Sequence, residues 1–262
     1  MKTVEVDIVK FDAAKGGLGK VRDYVAVERQ FQILLNEKPY TIIPCSPDNL
    51  KELAIGHLLS EGVIKALEEI EGISINEATG VVQVKLKSHI NIKSRLLPSE
   101  RFFRVKKTVC GGSESQVPKR LFKVESKLMV KAETILNSAK NLSNIAETYR
   151  KTGGVHVAAI YKSDGLLVDF AEDVGRHNAV DKVIGKCVLA NAELGKCFLT
   201  FSGRISSDIV FKAARMRMPI VVSISAALSS GIEAARITNI TLVGFARGNR
   251  MNVYNAAERI IS

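Results

Sequence analysis

The 262-residue chain has no tryptophan, 6% aromatic side chains, four cysteines and six prolines. Each scarcity excludes something. Without interleaved aromatics there is little for single-stranded bases to stack on. Cys45, Cys110, Cys187 and Cys197 are irregularly spaced, and four in this length do not make a disulfide scaffold. None stands in a CxxC pair, which excludes an all-cysteine zinc ribbon. No stretch approaches 18 uninterrupted apolar residues, and the opening MKTVEVDIVKFDAAKGG has no apolar h-region. Neither a membrane span nor a signal peptide is therefore expected, and a soluble, cytoplasmic protein is.

What is present is ordinary globular composition, 46% hydrophobic and 25% charged. That suffices for a sizeable core in one large domain or two small ones. Lysine and arginine number 38 against 27 acidic residues, a net charge of +11. The excess favours anionic partners: nucleic acid, an acidic protein or a polyphosphate small molecule. The basic residues are spread along the chain, denser over 93–107 and 204–217. Most read as a solvated surface, and nucleic acid is the weakest of the three partners.

In the first third, residues 21–28, 31–35 and 40–45 read as an antiparallel meander. Ser46-Pro47-Asp48 then offers an N-cap, a first-turn proline and an early acid. Leu50, Leu53, Ala54, His57 and Leu58 fall on one helical face, with Gly62 as C-cap. Short strands at 73–75 and 81–86 follow. The stretch 108–118, TVCGGSESQVP, has no periodicity and reads as a loop between two halves. A helix is predicted over about 130–149, then a hairpin of 155–161 and 166–170 around Ser163-Asp164-Gly165. Beyond it helices (177–190, 206–216, 228–236) alternate with strands (197–201, 220–224, 240–245), which argues a three-layer α/β domain.

Four polar junctions each follow an apolar strand: EDVGRHNAVD (172–181), FSGRISSD (201–208), SISAALSSG (223–231) and GFARGNRMNVY (244–254). In an open α/β sheet such loops line the ligand crevice. Two are read as leading into helix N-termini, whose free N–H groups favour phosphate. Arg176, Arg204, Arg247 and Arg250 would add bidentate contacts. For one junction alone, helix capping by Ser206 or Ser225 and solvated arginines is the plainer account; four together favour a site.

Cys110 follows Lys106 and Lys107 in a glycine-bearing loop. Neighbouring cations favour the reactive thiolate, whereas Cys45, Cys187 and Cys197 stand in apolar settings that suit buried spectators. No His/Cys pair has ligand spacing and an HxE…PCxxC zinc-deaminase signature is missing, so no metal is expected. His57, on an apolar helix face, reads as a core histidine. Glu172, Asp173 and His177 are candidates for an acid–imidazole relay or for helix capping.

RKTGGVHVAAIY, AEDVGRHNAVDKVIGK, SGRISSDIVFKAARMRMPIVVSISAALSSGIEAA and TLVGFARGNRMNVY closely resemble the FdhD family of formate dehydrogenase accessory sulfurtransferases. PCSPDNLKELAIGHLLSEGVI resembles its N-terminal helix segment. The resemblance implies an N-terminal mixed α/β subdomain over 1–118 and a cytidine-deaminase-like α/β/α domain over 119–262, hence α/β (α+β overall). It implies a homodimer that takes persulfide sulfur from a cysteine desulfurase on Cys110. The sulfur is passed to the molybdenum (or tungsten) bis-molybdopterin guanine dinucleotide cofactor before insertion into formate dehydrogenase. The cofactor's contacts would be Phe245, Ala246, Arg247, Gly248, Asn249 and Arg250, with Arg204, Ser206, Ser225, Arg176, His177 and His156. His156 stands near a zinc-ligand position of the deaminase fold, but HVA replaces HxE, which implies the fold without its zinc. Members of the family commonly carry CGxCG in the loop; here Ser113 takes the second cysteine's position. A cofactor-delivering chaperone without sulfur chemistry is the alternative that Ser113 keeps open.

Overall fold

The computed structural model describes residues 1–14, 16–92, 95, 104–105 and 123–262. Cys110, Ser113 and the loop expected at 108–118 lie outside the described residues, as does the boundary at 118/119.

The chain opens with β1 (Thr3–Asp12) and β2 (Gly17–Ala26), paired antiparallel from Thr3↔Ala26 to Asp12↔Gly17. This departs from the expected meander, in which residues 21–28 neighbour 31–35. β1 alternates apolar and acidic residues, and its Glu5 and Asp7 both face Arg22 of β2, at 3.6 and 3.5 Å. The following strand has buried partners instead. β3 (Arg29–Leu35) pairs with β4 (Lys38–Cys45) through a turn at Asn36 and Glu37, whose φ values are 48 and 67. After α1 (Leu50–Ser60) come β5 (Ile70–Asn76), β6 (Val81–Leu86) and β7 (Arg104–Val105), which complete a sheet of order β5-β6-β3-β4-β7. β6 runs parallel to β3.

α1 starts at Leu50, with Asn49 rather than Ser46 or Asp48 at its N-cap. The reason is long-range: Ser46, the expected cap, and Asp48, the expected early acid, are both engaged by the second half of the chain, as described below. Nor is α1 one-faced. Every residue from Leu53 to Ser60 is buried, because the helix is sandwiched between its own sheet and α4 (Arg176–Leu189). The two helices meet backbone to backbone. A Cβ on Gly56 would lie 1.8 Å from Asp181 O, and one on Gly185 would lie 2.0 Å from Glu52 O. Only glycine fits at such a crossing.

The second half holds β8 (Val130–Lys131), α2 (Ala132–Ile145), α3 (Glu147–Thr152), β9 (His156–Lys162) and β10 (Leu167–Asp173) before α4. After it come β11 (Cys197–Phe201), α5 (Ser207–Arg215), β12 (Ile220–Ser223), α6 (Ser229–Thr238), β13 (Thr241–Arg247), β14 (Arg250–Asn255) and β15 (Ile260–Ile261). Six of the strands form a mixed sheet of order β10-β9-β11-β12-β13-β14, parallel across β11, β12 and β13. Period-two alternation sorts its side chains into two cores. Ala158, Ile160, Leu199, Phe201, Val221 and Leu242 pack under α4, α5 and α6. Val157, Ala159, Tyr161, Phe198, Val222 and Val243 pack under α2. Each fully buried large apolar side chain contributes about 1.5–3 kcal/mol relative to exposure. The result is the three-layer α/β/α arrangement expected of this half.

One local expectation fails here. The helix predicted over 130–149 is two helices, broken at Ala146 (φ −101, ψ 97). At the break the Glu172 carboxylate of β10 accepts from Thr148 N at 3.3 Å and Tyr149 N at 2.7 Å, capping α3. Arg150 donates to the closing carbonyls of Ser143 and Asn144, so the orphan groups on both sides of the break have partners. The fourth junction leads into a strand. β13 turns at Gly248 (φ 56) and returns as β14.

Candidate site at the strand ends

β9 is antiparallel to both β10 and β11, so β10, β11, β12 and β13 all point the same way. Their carboxyl ends share one edge with the first residues of β9 and β14. That edge gathers every expected binding residue: His156, Arg176, His177, Arg204, Ser206, Ser225 and 245–250. Three of the four junctions, not two, lead into helices, at α4, α5 and α6.

The loops are tied to one another in sequence. His177 Nε2 stands 3.5 Å from Ser206 Oγ, joining the first to the second. Ile205 N donates to Ala226 O at 3.0 Å, Leu228 N to Ile205 O at 2.9 Å and Ser223 Oγ to Gly203 O at 2.6 Å, joining the second to the third. Phe245 N donates to Ser225 O at 2.9 Å and Arg247 Nε to Ile224 O at 2.5 Å, joining the third to the fourth. Phe245 sits at φ 52 and is 37% exposed, with the Arg247 guanidinium 5.7 Å from its ring. A non-glycine residue held in this region marks a backbone fixed by its surroundings. Gly248, Asn249 and Arg250 are exposed at the turn, whereas the Ala246 side chain is in the core and offers only main chain.

His156 is half-buried, with Nδ1 3.1 Å from Ser202 Oγ. Burial first, then the charges of Arg176 and Arg204, push its pKa below the ordinary imidazole value, which favours the neutral ring. Arg176 lies against Gly203, where a Cβ would come within 2.8 Å of Arg176 Cβ. Its Nε is buried with no hydrogen-bond partner among the described residues. A guanidinium with an unmet donor at an edge rich in helix N-terminal N–H groups fits a phosphate-bearing ligand.

Of the two readings of Glu172, Asp173 and His177, the carboxylates' contacts favour capping over a relay. Glu172 caps α3, and Asp173 is fully occupied elsewhere. Its carboxylate accepts from Ser46 N (3.0 Å), Gly175 N (2.8 Å), Asn178 Nδ2 (2.9 Å) and the Lys182 ammonium (2.7 Å). Lys182 also reaches Asp48 at 3.1 Å, and Val174 N donates to Ser46 Oγ. Burial opposes the Lys182 charge, but Asp173 and Asp48 outweigh it and raise its pKa. A second buried network lies one turn on, where Asp181 accepts from Lys212, Ser60 and His57. Burial again opposes ionisation, yet Lys212 and His57 hold Asp181 down at about 2. His57 is thus a core histidine, as read. Sequence reasoning missed Ser202, Asp181, Lys182 and Lys212. A charged residue every few positions inside an apolar helical stretch was the one available signal, and it reads equally as a solvated face.

Among the described residues no group of three His, Cys, Asp or Glu side chains is placed to hold a metal ion. No helix among them is long and apolar enough to cross a membrane. Cys45, Cys187 and Cys197 are buried, and burial pushes the thiols of Cys45 and Cys187 up to about 12. A polar cleft of about 360 Å³ opens at the other end of β9, between α2 and the β9–β10 turn. None of the expected site residues lines it.

The model of the FdhD/NarQ family matches residues 26–261. The sulfur carrier protein FdhD of Bacillus subtilis (strain 168) is 35% identical over 251 residues, covering 94% of each chain. Its counterpart in Staphylococcus aureus (strain MRSA252) is 35% identical over 259 residues, covering 97% of this chain and 95% of that one. The crystal structure of a formate dehydrogenase accessory protein from Desulfotalea psychrophila matches with a TM-score of 0.78 at 27% identity, over 100% of both chains. Similar in sequence and in structure along nearly its whole length, this chain belongs to the FdhD/NarQ family.

Proposed function

We propose that the chain is a cytoplasmic sulfur carrier for formate dehydrogenase, with Cys110 bearing the sulfur and the strand-end edge seating the molybdenum (or tungsten) bis-molybdopterin guanine dinucleotide that receives it. The observation that carries this reading is the edge itself. Four tied loops bring Arg176, Arg204, Arg247 and Arg250 together with three helix N-termini, in a chain of net charge +11. Pyrophosphates suit the guanidiniums and N–H groups, and the exposed Phe245 ring, backed by Arg247, offers a face to guanine. The names of the curated relatives add the sulfur, and that of the solved structure adds the link to formate dehydrogenase.

Sulfur chemistry requires a thiolate. Of the four cysteines, three are buried with their thiols pushed up by burial, which leaves Cys110. Its thiolate attacks the terminal sulfur of a persulfide on the cysteine desulfurase. The S–S bond of the donor breaks, the donor leaves as thiolate, and Cys110 carries the new persulfide with no net redox change. Release of that sulfur as sulfide consumes two electrons. With Ser113 where a second loop cysteine would stand, an external thiol supplies them and is left in a mixed disulfide with Cys110.

The test is intact-mass spectrometry after incubation with a cysteine desulfurase and cysteine, on wild type and Cys110→Ala. Wild type should gain one sulfur that reduction removes, and the variant none. No gain on wild type beside an active desulfurase would refute the carrier reading. Undiminished formate dehydrogenase maturation by Cys110→Ala would favour a chaperone that delivers the cofactor without sulfur chemistry.

A further inference from the structure

α2 carries asparagines that its own stability does not ask for. Asn137, Asn141 and Asn144 all lie within Ala132–Ile145, although asparagine is a weak helix former better suited to caps and turns. Spaced i, i+4 and i+7, they share one stripe of the helix, and Thr134 continues it one turn earlier. Breaches of local preference collect where function requires them. All four residues line the polar cleft of about 360 Å³ at the end of β9 remote from the strand-end edge. The opposite wall is the β9–β10 turn. Its Gly165 (φ 90) sits so close to α2 that a Cβ would come within 3.2 Å of Thr134 Cγ2.

The chain itself uses only part of this hydrogen-bonding capacity. Ser138 is committed inward, donating to Ile135 O at 2.7 Å and meeting Thr200 Oγ1 at 2.9 Å. Asp164 Oδ1 closes the turn by accepting from Leu166 N at 2.9 Å. Asn141 Nδ2 donates to Tyr161 Oη at 3.3 Å, which fixes that carboxamide and leaves its Oδ1 and second N–H to the cleft. Among the described residues, the carboxamides of Asn137 and Asn144 and the Thr134 hydroxyl have no hydrogen-bond partner.

What remains offers donors and acceptors together, and this selects the ligand. Phosphate calls for converging cations, and the cleft has one, Lys140, beside one acid, Asp164. A sugar or a base calls for a ring face. Tyr161 supplies none, being 2% exposed and stacked on Phe198 with centroids 5.6 Å apart. No aliphatic side chain lines the cleft to seat a hydrophobic anchor. A carboxamide presents N–H and C=O side by side, the complement of a peptide unit's own N–H and C=O. At 1.5 Å per residue, Asn137 and Asn144 stand about 10 Å apart along the helix axis, which is the length of three residues of extended chain.

We propose that this cleft docks an extended, polar segment of a partner protein, whose main-chain amides pair with the carboxamides of Asn137, Asn141 and Asn144. The site does not depend on the cofactor reading of the strand-end edge. Cleft and edge lie at opposite ends of β9, so a partner held by such a segment leaves the edge free.

The experiment titrates the full ¹⁵N-labelled chain and follows side-chain amide signals in ¹H–¹⁵N correlation spectra, assigned through single alanine variants of the three asparagines. The probe is the peptide acetyl-Ser-Gly-Ser-Gly-Ser-amide, with maltose and inorganic phosphate as the competing classes. The peptide should move the three carboxamide signals saturably, with a dissociation constant on the order of millimolar, and the other two should leave them in place. Asn137→Ala and Asn144→Ala should each weaken peptide binding roughly fivefold. Alanine favours the helix, so both variants should fold. Ser143→Ala, on the same helix but outside the cleft, should stay within about twofold of wild type. Carboxamides that ignore peptide on the order of tens of millimolar would overturn the proposal. So would maltose or phosphate that moves them as strongly, or asparagine variants that bind like wild type. Persulfide loading of Cys110 is measured separately. A chain that loads sulfur but ignores the peptide refutes the docking site alone, and one that binds peptide without loading sulfur refutes the carrier reading alone.

Discussion

Replacing Lys212 by methionine tests how the two halves of the chain are joined. Lys212 reaches from α5 to α1 and α4, where its ammonium donates to Asp181 Oδ1 and Oδ2 at 2.8 and 3.0 Å, to Ser60 Oγ at 2.8 Å and to Glu61 Oε1 at 2.8 Å. Lys212 is 3% exposed and Asp181 1%. Methionine keeps most of the stem's volume but strands the Asp181 carboxylate among His57 and Ser60. Losing one partner of a buried ion pair costs about 3–5 kcal/mol. Glu61, 22% exposed, can turn to water and adds little. At a urea slope of about 3 kcal/mol per molar for a chain of this size, the unfolding midpoint should fall by about 1–1.7 M. Circular dichroism in a urea series measures it. Lys212→Met combined with Asp181→Leu removes both charges and should recover most of the loss, because well-packed apolar side chains often match a buried pair. A single-variant midpoint within about 0.3 M of wild type would refute the argument. So would a double variant no more stable than the single.

Gly56→Ala would place a Cβ 1.8 Å from Asp181 O and force α1 off α4; we expect a loss above about 3 kcal/mol. Gly72→Ala, with nothing within 4 Å, should stay within about 1 kcal/mol in the same urea assay. If both behave alike, the helix crossing does not depend on its glycines. Acid supplies a third measurement. The folded pKa of Asp181, about 2, is below its ordinary 3.8. The stability this gives is therefore complete above the ordinary value and is lost as pH falls from there towards 2. It amounts to roughly 2 kcal/mol. Urea midpoints taken between pH 5 and pH 2.5 should fall less steeply for Asp181→Asn than for wild type. Equal slopes would mean that other carboxylates account for the acid loss.

The α/β/α half was legible because its signals are local. Strands such as 197–201 and 220–223 are buried on both faces and read as short apolar runs, and the loops after them are polar because they stay at the edge. Registering those loops as one site needed only the rule that parallel strands end together. What the sequence did not disclose depends on partners far along the chain. β2 answers to β1 through Arg22, and the helix at 132–152 breaks where Glu172, some 25 residues on, caps its second piece. Ser46 looks like a helix cap and Asp48 like a first-turn acid until Asp173 and Lys182 arrive from α4 and its approach. Ser202 was hidden for a related reason: a serine after a strand reads as loop chemistry, and its bond to Val157 exists only once β9 and β11 are paired.

Ser46 and the approach to α4 close each other's amides. Ser46 N is held by Asp173, and Val174 N is held by Ser46 Oγ. Neither proton can exchange with solvent unless the end of β4 and the start of α4 come apart together. The two amides should therefore share one opening event in hydrogen exchange, although 128 positions separate them in the chain. The first loop of the strand-end edge is consequently tied to the junction between the halves. If the edge seats the proposed cofactor, the compliance to admit it is expected in the later loops rather than in this one.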